Sequence, residues 1–242
     1  LFGVLSLKDL EQGVYKRNIN GMLPTAHFAF IDEIFKANSA ILNSLLSLIN
    51  ERVYYNSGVP IEAPLMTLVG SSNEYIEEDE GLEALFDRFL LRYEVGYIRE
   101  QEDFIAMLKK VDHDPIQKLS MVELASLQTR VKNITIDDKI YSALAKVRIK
   151  LWDEGIRPSD RRFKQSLSIL KARAFLRGRQ TVMKSDFAIL ANILWETPDQ
   201  REKTTEVIHS FTHDSLETFI NRVLLEFDEV VLSAQNIILS KA

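Results

Sequence analysis

An α/β fold followed by an all-helical unit is predicted by three observations. Short, continuously apolar runs alternate with helix-period segments between residues 28 and 95. Strand signals stop near Gln101, and beyond it Leu, Ile, Val and Phe recur at three- and four-residue spacing. Strands alternating with helices argue for a parallel sheet, and 242 residues suffice for two small units, each with its own core. The expected division is an α/β part over 1–100, a helical part over 101–197 and a helix-prone extension over 198–242, the start of a further domain.

In chain order, residues 1–27 mix apolar stretches with Gly3, Gly13, Gly21 and Pro24, which predicts an irregular, hairpin-like segment. Phe28 to Ile31 is a buried strand of the parallel type, ending in Asp32-Glu33. Ile41, Leu42, Leu45, Leu46 and Ile49 then stripe a helix that Asn38 or Ser39 can cap. Val53-Tyr54-Tyr55 and Val59-Pro60-Ile61 flank Asn56-Ser57-Gly58 as a hairpin, the glycine taking a turn position where positive φ is tolerated. Leu65 to Val69 is a second buried strand, closed by Gly70-Ser71-Ser72-Asn73. An acidic loop (Glu77, Glu78, Asp79, Glu80), a helix with Leu82, Leu85 and Phe86, and a short strand at Tyr93-Glu94-Val95 complete the first part. In the second, helices are expected through Phe104, Leu108 and Val111; through Tyr141, Leu144 and Val147 after Asp137-Asp138; through Phe163, Leu167, Leu170 and Ala174 up to Gly178; and through Leu190 and Leu194 after Ser185-Asp186.

Composition removes several classes of function. Without cysteine there are no disulfides, thiolate metal sites or cysteine nucleophiles, and four scattered histidines lack zinc-site spacing. A bound metal would be a hard ion held by oxygen. No apolar run is long enough to cross a bilayer, and a cytoplasmic protein is expected. The formal net charge of −5 conceals a basic segment, Lys146 to Lys184, with twelve Lys or Arg against three Asp or Glu.

An apolar strand ending in Asp-Glu, with a polar residue closing the next strand, suits nucleotide hydrolysis. The Asp holds Mg²⁺ and the Glu polarises the water that attacks the γ-phosphate, which Asp32 and Glu33 fit. Asn73 is placed to hydrogen-bond that water or the phosphate. Arg88, in Leu85-Phe86-Asp87-Arg88-Phe89, offers a guanidinium to a neighbouring subunit's γ-phosphate. Each residue also has an ordinary structural explanation: a helix cap for the acids, an Asx-turn for Asn73, a surface ion pair for Arg88.

Taken in order, Phe28 to Glu33, Asn73 and Asp87-Arg88-Phe89 resemble the Walker B, sensor 1 and arginine-finger region of AAA+ ATPases. Gly21-Met22-Leu23-Pro24, Phe30-Ile31-Asp32-Glu33-Ile34-Phe35-Lys36-Ala37, Asn50-Glu51-Arg52, Ser71-Ser72-Asn73-Glu74 and Leu82 to Arg88 are similar to the MoxR family, in particular its RavA-like branch. Ser159-Asp160-Arg161-Arg162 resembles the family's sensor 2, with Asp160 where Ser-Pro-Arg is commoner. The resemblance implies a partial AAA+ P-loop core with a helical lid, ATP and Mg²⁺ as ligands, and Arg161, with Arg162 as rival, on the nucleotide phosphates. It further implies a homo-hexameric ring that remodels a client protein in a chaperone-like way. None of the nine glycines has the Gly-x-x-x-x-Gly-Lys spacing of a phosphate loop, so that loop is expected upstream of residue 1, and the segment alone should hydrolyse nothing. A DNA-translocating motor is the alternative, and an inactive interaction module would follow if no phosphate loop exists upstream. The Val53 to Ile61 hairpin offers no lysine and the isoelectric point is near 5.5, so no nucleic-acid partner is expected.

Overall fold

A computed structural model describes residues 1–36, 39–74, 83–110 and 118–212. The acidic loop at 77–80, Leu82, Val111, the Asn38 cap and everything after 212 lie outside the described residues. The chain forms two compact units, Leu1–Phe89 and Leu90–Ala242.

The first unit is α/β. It opens with a small antiparallel pair, β1 (Val4–Leu5) and β2 (Arg17–Asn18), joined through a one-turn helix α1 (Leu7–Leu10). β3 (Phe28–Ile31) follows, then a 3₁₀ turn over Ile34–Lys36, helix α2 (Ser39–Glu51), the hairpin β4 (Val53–Asn56) and β5 (Val59–Glu62), β6 (Thr67–Gly70) and the short α3 (Glu83–Phe86). β3 and β6 are parallel neighbours, with Phe28 opposite Thr67 and Ile31 opposite Gly70, so both strands end at the same edge.

Side-chain alternation gives this pair one buried face. Ile31 is 8% exposed and packs with Leu42, Leu45 and Leu48 of α2, whereas Phe28 and Phe30 project from the other face. Burying leucines such as Leu45 and Leu48 stabilises the unit by roughly 1.5–3 kcal/mol each. α2 stops at Arg52, which takes a left-handed conformation (φ 58°) and donates from its guanidinium to the Ile49 carbonyl at 2.6 Å, satisfying an orphan carbonyl of the last turn. In the hairpin turn both Ser57 (φ 54°) and Gly58 (φ 78°) are left-handed, the geometry that matches strand twist. Asn56 pins β2 to this hairpin: its side chain accepts from the Arg17 N–H and donates to the Arg17 carbonyl, both at 2.9 Å.

The second unit is helical: α4 (Gln101–Lys109), α5 (Met121–Lys132), α6 (Asp138–Asp153), α7 (Asp160–Leu176), a 3₁₀ segment over Lys184–Asn192, and α8 (Gln200–Thr212). Val147, Leu151, Leu170, Phe187, Leu190, Ile193, Leu194 and Ile208 are fully enclosed in its core. No described helix is long and apolar enough to cross a membrane.

Several expectations change. Tyr93 to Val95 forms no strand; the Arg92 N–H bonds the Asn192 carbonyl at 2.9 Å, drawing the start of this stretch to the helical unit, and Val95 is 92% exposed. Residues 90–100 therefore lie with the second unit, and Val207 and Ile208 of α8 belong to the same core as α6 and α7. On α6 the inward stripe is Ile140, Ala143, Leu144, Val147 and Leu151, leaving Tyr141 facing solvent. The segment after Ser185-Asp186 is 3₁₀, and Asp186 does more than cap it: the carboxylate is fully buried, accepts from the Met183 N–H at 2.9 Å, and takes both ends of the Arg179 guanidinium.

Candidate functional site

The parallel register of β3 and β6 brings their carboxyl ends together. The ladder continues one step past the strands: the Ser71 N–H bonds the Ile31 carbonyl at 2.9 Å and the Ile34 N–H bonds the Ser71 carbonyl at 3.0 Å. Asp32 and Glu33 sit in the turn between those two bonds. The Asp32 Oδ1 accepts from the Glu33 N–H at 3.1 Å and from the Ser71 hydroxyl. Its Oδ2 makes no hydrogen bond among the described residues, and the residue is exposed. Asn73, exposed, follows two residues after Ser71 on this edge. The strand ends thus bring the carboxyl pair and the segment that carries the amide to one edge.

Glu33 has φ 50°, an unusual backbone region for a residue with a side chain and a conformation that functional turns often hold. Its Oε1 lies 3.3 Å from the Lys36 Nζ, and the same ammonium is 3.6 Å from Glu74 Oε1. The hydrogen bond to Glu33, then the Glu33 and Glu74 charges, raise the Lys36 pKa above its ordinary value. Sequence reasoning assigned no role to Lys36, Glu74 or Ser71. Lys36 follows Glu33 at a three-residue spacing that a helical turn brings face to face, so that part was findable; Glu74 and Ser71 arrive only through the strand pairing.

Gly70 determines how closely the edge can pack. A Cβ at this position would meet Ile34 Cδ1 and Cγ2 and Phe89 Cζ at 3.2 Å, tighter than ordinary contact. Leu85 is 1% exposed and Phe89 packs on the same core, so Arg88 is held between two anchored apolar neighbours. Arg88 is half-buried, and its Nε is enclosed with no hydrogen-bond partner among the described residues. An enclosed guanidinium nitrogen without an acceptor is costly to keep unless an anion completes it.

In the second unit, the adjacent arginines of the basic segment diverge. α7 begins with Ser159, whose hydroxyl accepts from the Arg162 N–H at 3.3 Å, and with Asp160 paired to Arg148 at 2.8 Å. Arg161 is exposed on the first turn. Arg162 is 1% exposed and donates to the Ile193 carbonyl at 2.8 Å and the Leu90 carbonyl at 3.4 Å. We therefore expect Arg162→Ala to destabilise the helical unit by about 3 kcal/mol, because buried carbonyls lose their donor, while Arg161→Ala stays within about 0.5 kcal/mol; thermal denaturation of both variants checks this.

A family profile described as the MoxR domain of MoxR-vWA-beta-propeller ternary systems matches residues 1–132, and an AAA lid domain profile matches residues 139–208. The chain belongs to the MoxR-type AAA+ ATPase family. It is 40% identical over 215 residues to the uncharacterized protein MJ0812 of Methanocaldococcus jannaschii, covering 88% of this chain and 57% of that protein. To MJ0079 of the same organism it is 40% identical over 224 residues, covering 92% and 58%. This MoxR-type chain thus spans a little over half the length of those relatives. Its fold is shared, at 17% identity and a TM-score of 0.65 over 87% of this chain and 71% of the other, with a crystal structure from Cytophaga hutchinsonii provisionally described as an ATPase.

The residues present suit the Mg²⁺ and nucleotide that this family uses. Asp32 and Ser71 are hard oxygen donors, the chemistry Mg²⁺ selects. Among the described residues no group of three or more His, Cys, Asp or Glu could hold a metal by itself. Asp32 would therefore be one ligand of an ion otherwise surrounded by phosphate and water oxygens, the usual sharing for Mg²⁺.

Proposed function

We propose that this chain supplies the hydrolytic half of an ATP site in a MoxR-type ring ATPase, with Asp32 on Mg²⁺, Glu33 as general base, Asn73 orienting the attacking water, Arg88 acting on the neighbouring subunit's nucleotide and Arg161 on the phosphates. The observation that carries this reading is the joint end of β3 and β6, where Asp32 is bonded to Ser71 two residues before Asn73. Mg²⁺, when bound, would screen the triphosphate charge and orient it for in-line attack. The Asp32 carboxylate is oriented by the Ser71 hydroxyl and the Glu33 N–H, both on Oδ1, which leaves Oδ2 for the ion or its water shell. Glu33 takes a proton from the attacking water at its carboxylate, and Asn73 fixes that water by hydrogen bonding. Arg162, being occupied with lid carbonyls, leaves Arg161 as the phosphate-reading arginine.

The phosphate-cradling loop of the complete protein is taken to lie upstream, and the assembly to be a homo-hexamer, since a head-to-tail ring delivers every Arg88 to the adjacent site. The protein is read as cytoplasmic, as RavA-like, and as a chaperone-like remodeller of protein complexes. The matched profile supports partners of the kind it describes, a vWA protein and a β-propeller. In the complete protein, ATP hydrolysis should vanish when Mg²⁺ is chelated and return when it is restored. Unchanged turnover in excess chelator would reject the role of Asp32 on Mg²⁺, and no turnover under any condition would reject this reading in favour of an inactive module.

A further inference from the structure

Asp32 has two hydrogen-bond donors of its own, but the Glu33 carboxylate has only Lys36 among the described residues. We infer that Lys36 is a positioning residue, steering the Glu33 carboxylate and tying it, through Glu74, to the segment that carries Asn73. This rests on the reading of Glu33 as the base.

The supports of this bridge are fixed at both ends. Lys36 closes the 3₁₀ turn that begins at Ile34, which is 2% exposed and bonded through its N–H to the Ser71 carbonyl. The Lys36 N–H returns to the Glu33 carbonyl at 3.0 Å, so the ammonium and the Glu33 backbone belong to one small rigid turn. On the other strand end, Ser72 holds Glu74: its hydroxyl donates to the Glu74 carbonyl at 2.7 Å and accepts from the Glu74 N–H at 3.1 Å. The bridge from Glu33 through Lys36 to Glu74 therefore spans the two strand ends on which base and amide are carried.

Charge explains why such a bridge is needed. Asp32, Glu33 and Glu74 place three carboxylates at an edge that is to receive a polyanionic nucleotide. An unrestrained glutamate there would swing away from the phosphates into water. An ammonium between Glu33 and Glu74 offsets this repulsion without accepting a proton from the attacking water. A purely structural role is a poor alternative, because both partners of the closer pair are about half exposed (51% and 47%), and exposed ion pairs contribute little to folding.

The test uses the complete protein and reads kcat, KM for ATP, affinity for a fluorescent ATP analogue and thermal stability. Lys36→Met should lower kcat by about 10- to 100-fold, the scale of a misplaced catalytic group, with KM, analogue affinity and stability held within about twofold. Lys36→Arg should recover most of the lost kcat. Glu74→Gln should lower kcat by a smaller factor and have no added effect in the Lys36→Met background, because it acts through that lysine. Wild-type kcat in Lys36→Met, a loss of affinity in proportion to kcat, or a full Glu74→Gln effect without Lys36 would each overturn the inference. Glu33→Gln run in parallel separates the two ideas. If Glu33→Gln turns over normally, the base assignment itself fails; if it is inactive while Lys36→Met is normal, only the role of Lys36 fails.

Discussion

Glu33→Gln in the complete protein is expected to keep ATP bound while kcat falls by about 10²–10⁴-fold, the usual contribution of a positioned general base. The substitution keeps the size of the side chain and a carbonyl oxygen for Lys36, but removes the atom that takes the proton. Since the loss falls on the chemical step, analogue affinity should stay near wild type and the whole effect should appear in kcat. The φ of 50° at Glu33 belongs to the backbone, so the turn should survive and melting should not shift. Equilibrium binding of a fluorescent ATP analogue, set beside steady-state hydrolysis, reads both quantities. Loss of binding with turnover per bound ATP preserved would make Glu33 a ligand and not a base.

Arg88→Ala carries the second large effect. An arginine that stabilises transferring phosphoryl charge contributes about 10³–10⁵-fold to kcat, so hydrolysis should fall near background. Arg88→Lys should rescue little, because a point charge cannot reproduce the planar fork. Whether the residue acts on its own site or a neighbour's is decided by mixing subunits. A ring of Arg88→Ala and Glu33→Gln subunits contains interfaces where an intact Glu33 meets an intact Arg88 from the adjacent chain. Action across the interface predicts that two inactive variants recover part of the activity when mixed; action within one subunit predicts none. The Nε of Arg88, enclosed and without a hydrogen-bond partner among the described residues, is the local feature that sets it apart from a surface arginine.

Much of this architecture is legible in the sequence because the signals are local. β3, α2 and the β4–β5 hairpin follow from apolar period and turn chemistry, each read within a short stretch of its own. The parallel pairing of β3 with β6 is longer-range, and the continuous apolar runs misstate its burial: Phe28, Phe30 and Val69 are at least half exposed, so the pair buries one face where the sequence suggests two. Three things were not legible. Tyr93 to Val95 has strand-like composition, yet strands form by pairing, and the Arg92 N–H bonds the Asn192 carbonyl, a hundred residues away in sequence. Asp186 reads as a helix cap from its neighbours, whereas its burial and its guanidinium partner depend on where Arg179 arrives. Arg161 and Arg162 are indistinguishable by type; one residue of helical phase sends Arg162 inward with Ser166 and Leu170 and leaves Arg161 outside. At the site, the acids and the amide were visible as residues, but the contacts of Ser71 and Glu74 exist only once the two strand ends meet.

The proposed convergence of Asp32, Glu33 and Asn73 on one γ-phosphate and its metal is decided by a crystal structure of the complete protein with a non-hydrolysable ATP analogue and Mn²⁺ in place of Mg²⁺, the metal being located by its anomalous signal. The Mn²⁺ peak is expected beside Asp32, bound directly or through one water, with Glu33 and Asn73 flanking the water in line with the γ-phosphate. A metal and γ-phosphate held elsewhere, with these three side chains turned to separate surroundings, would contradict it.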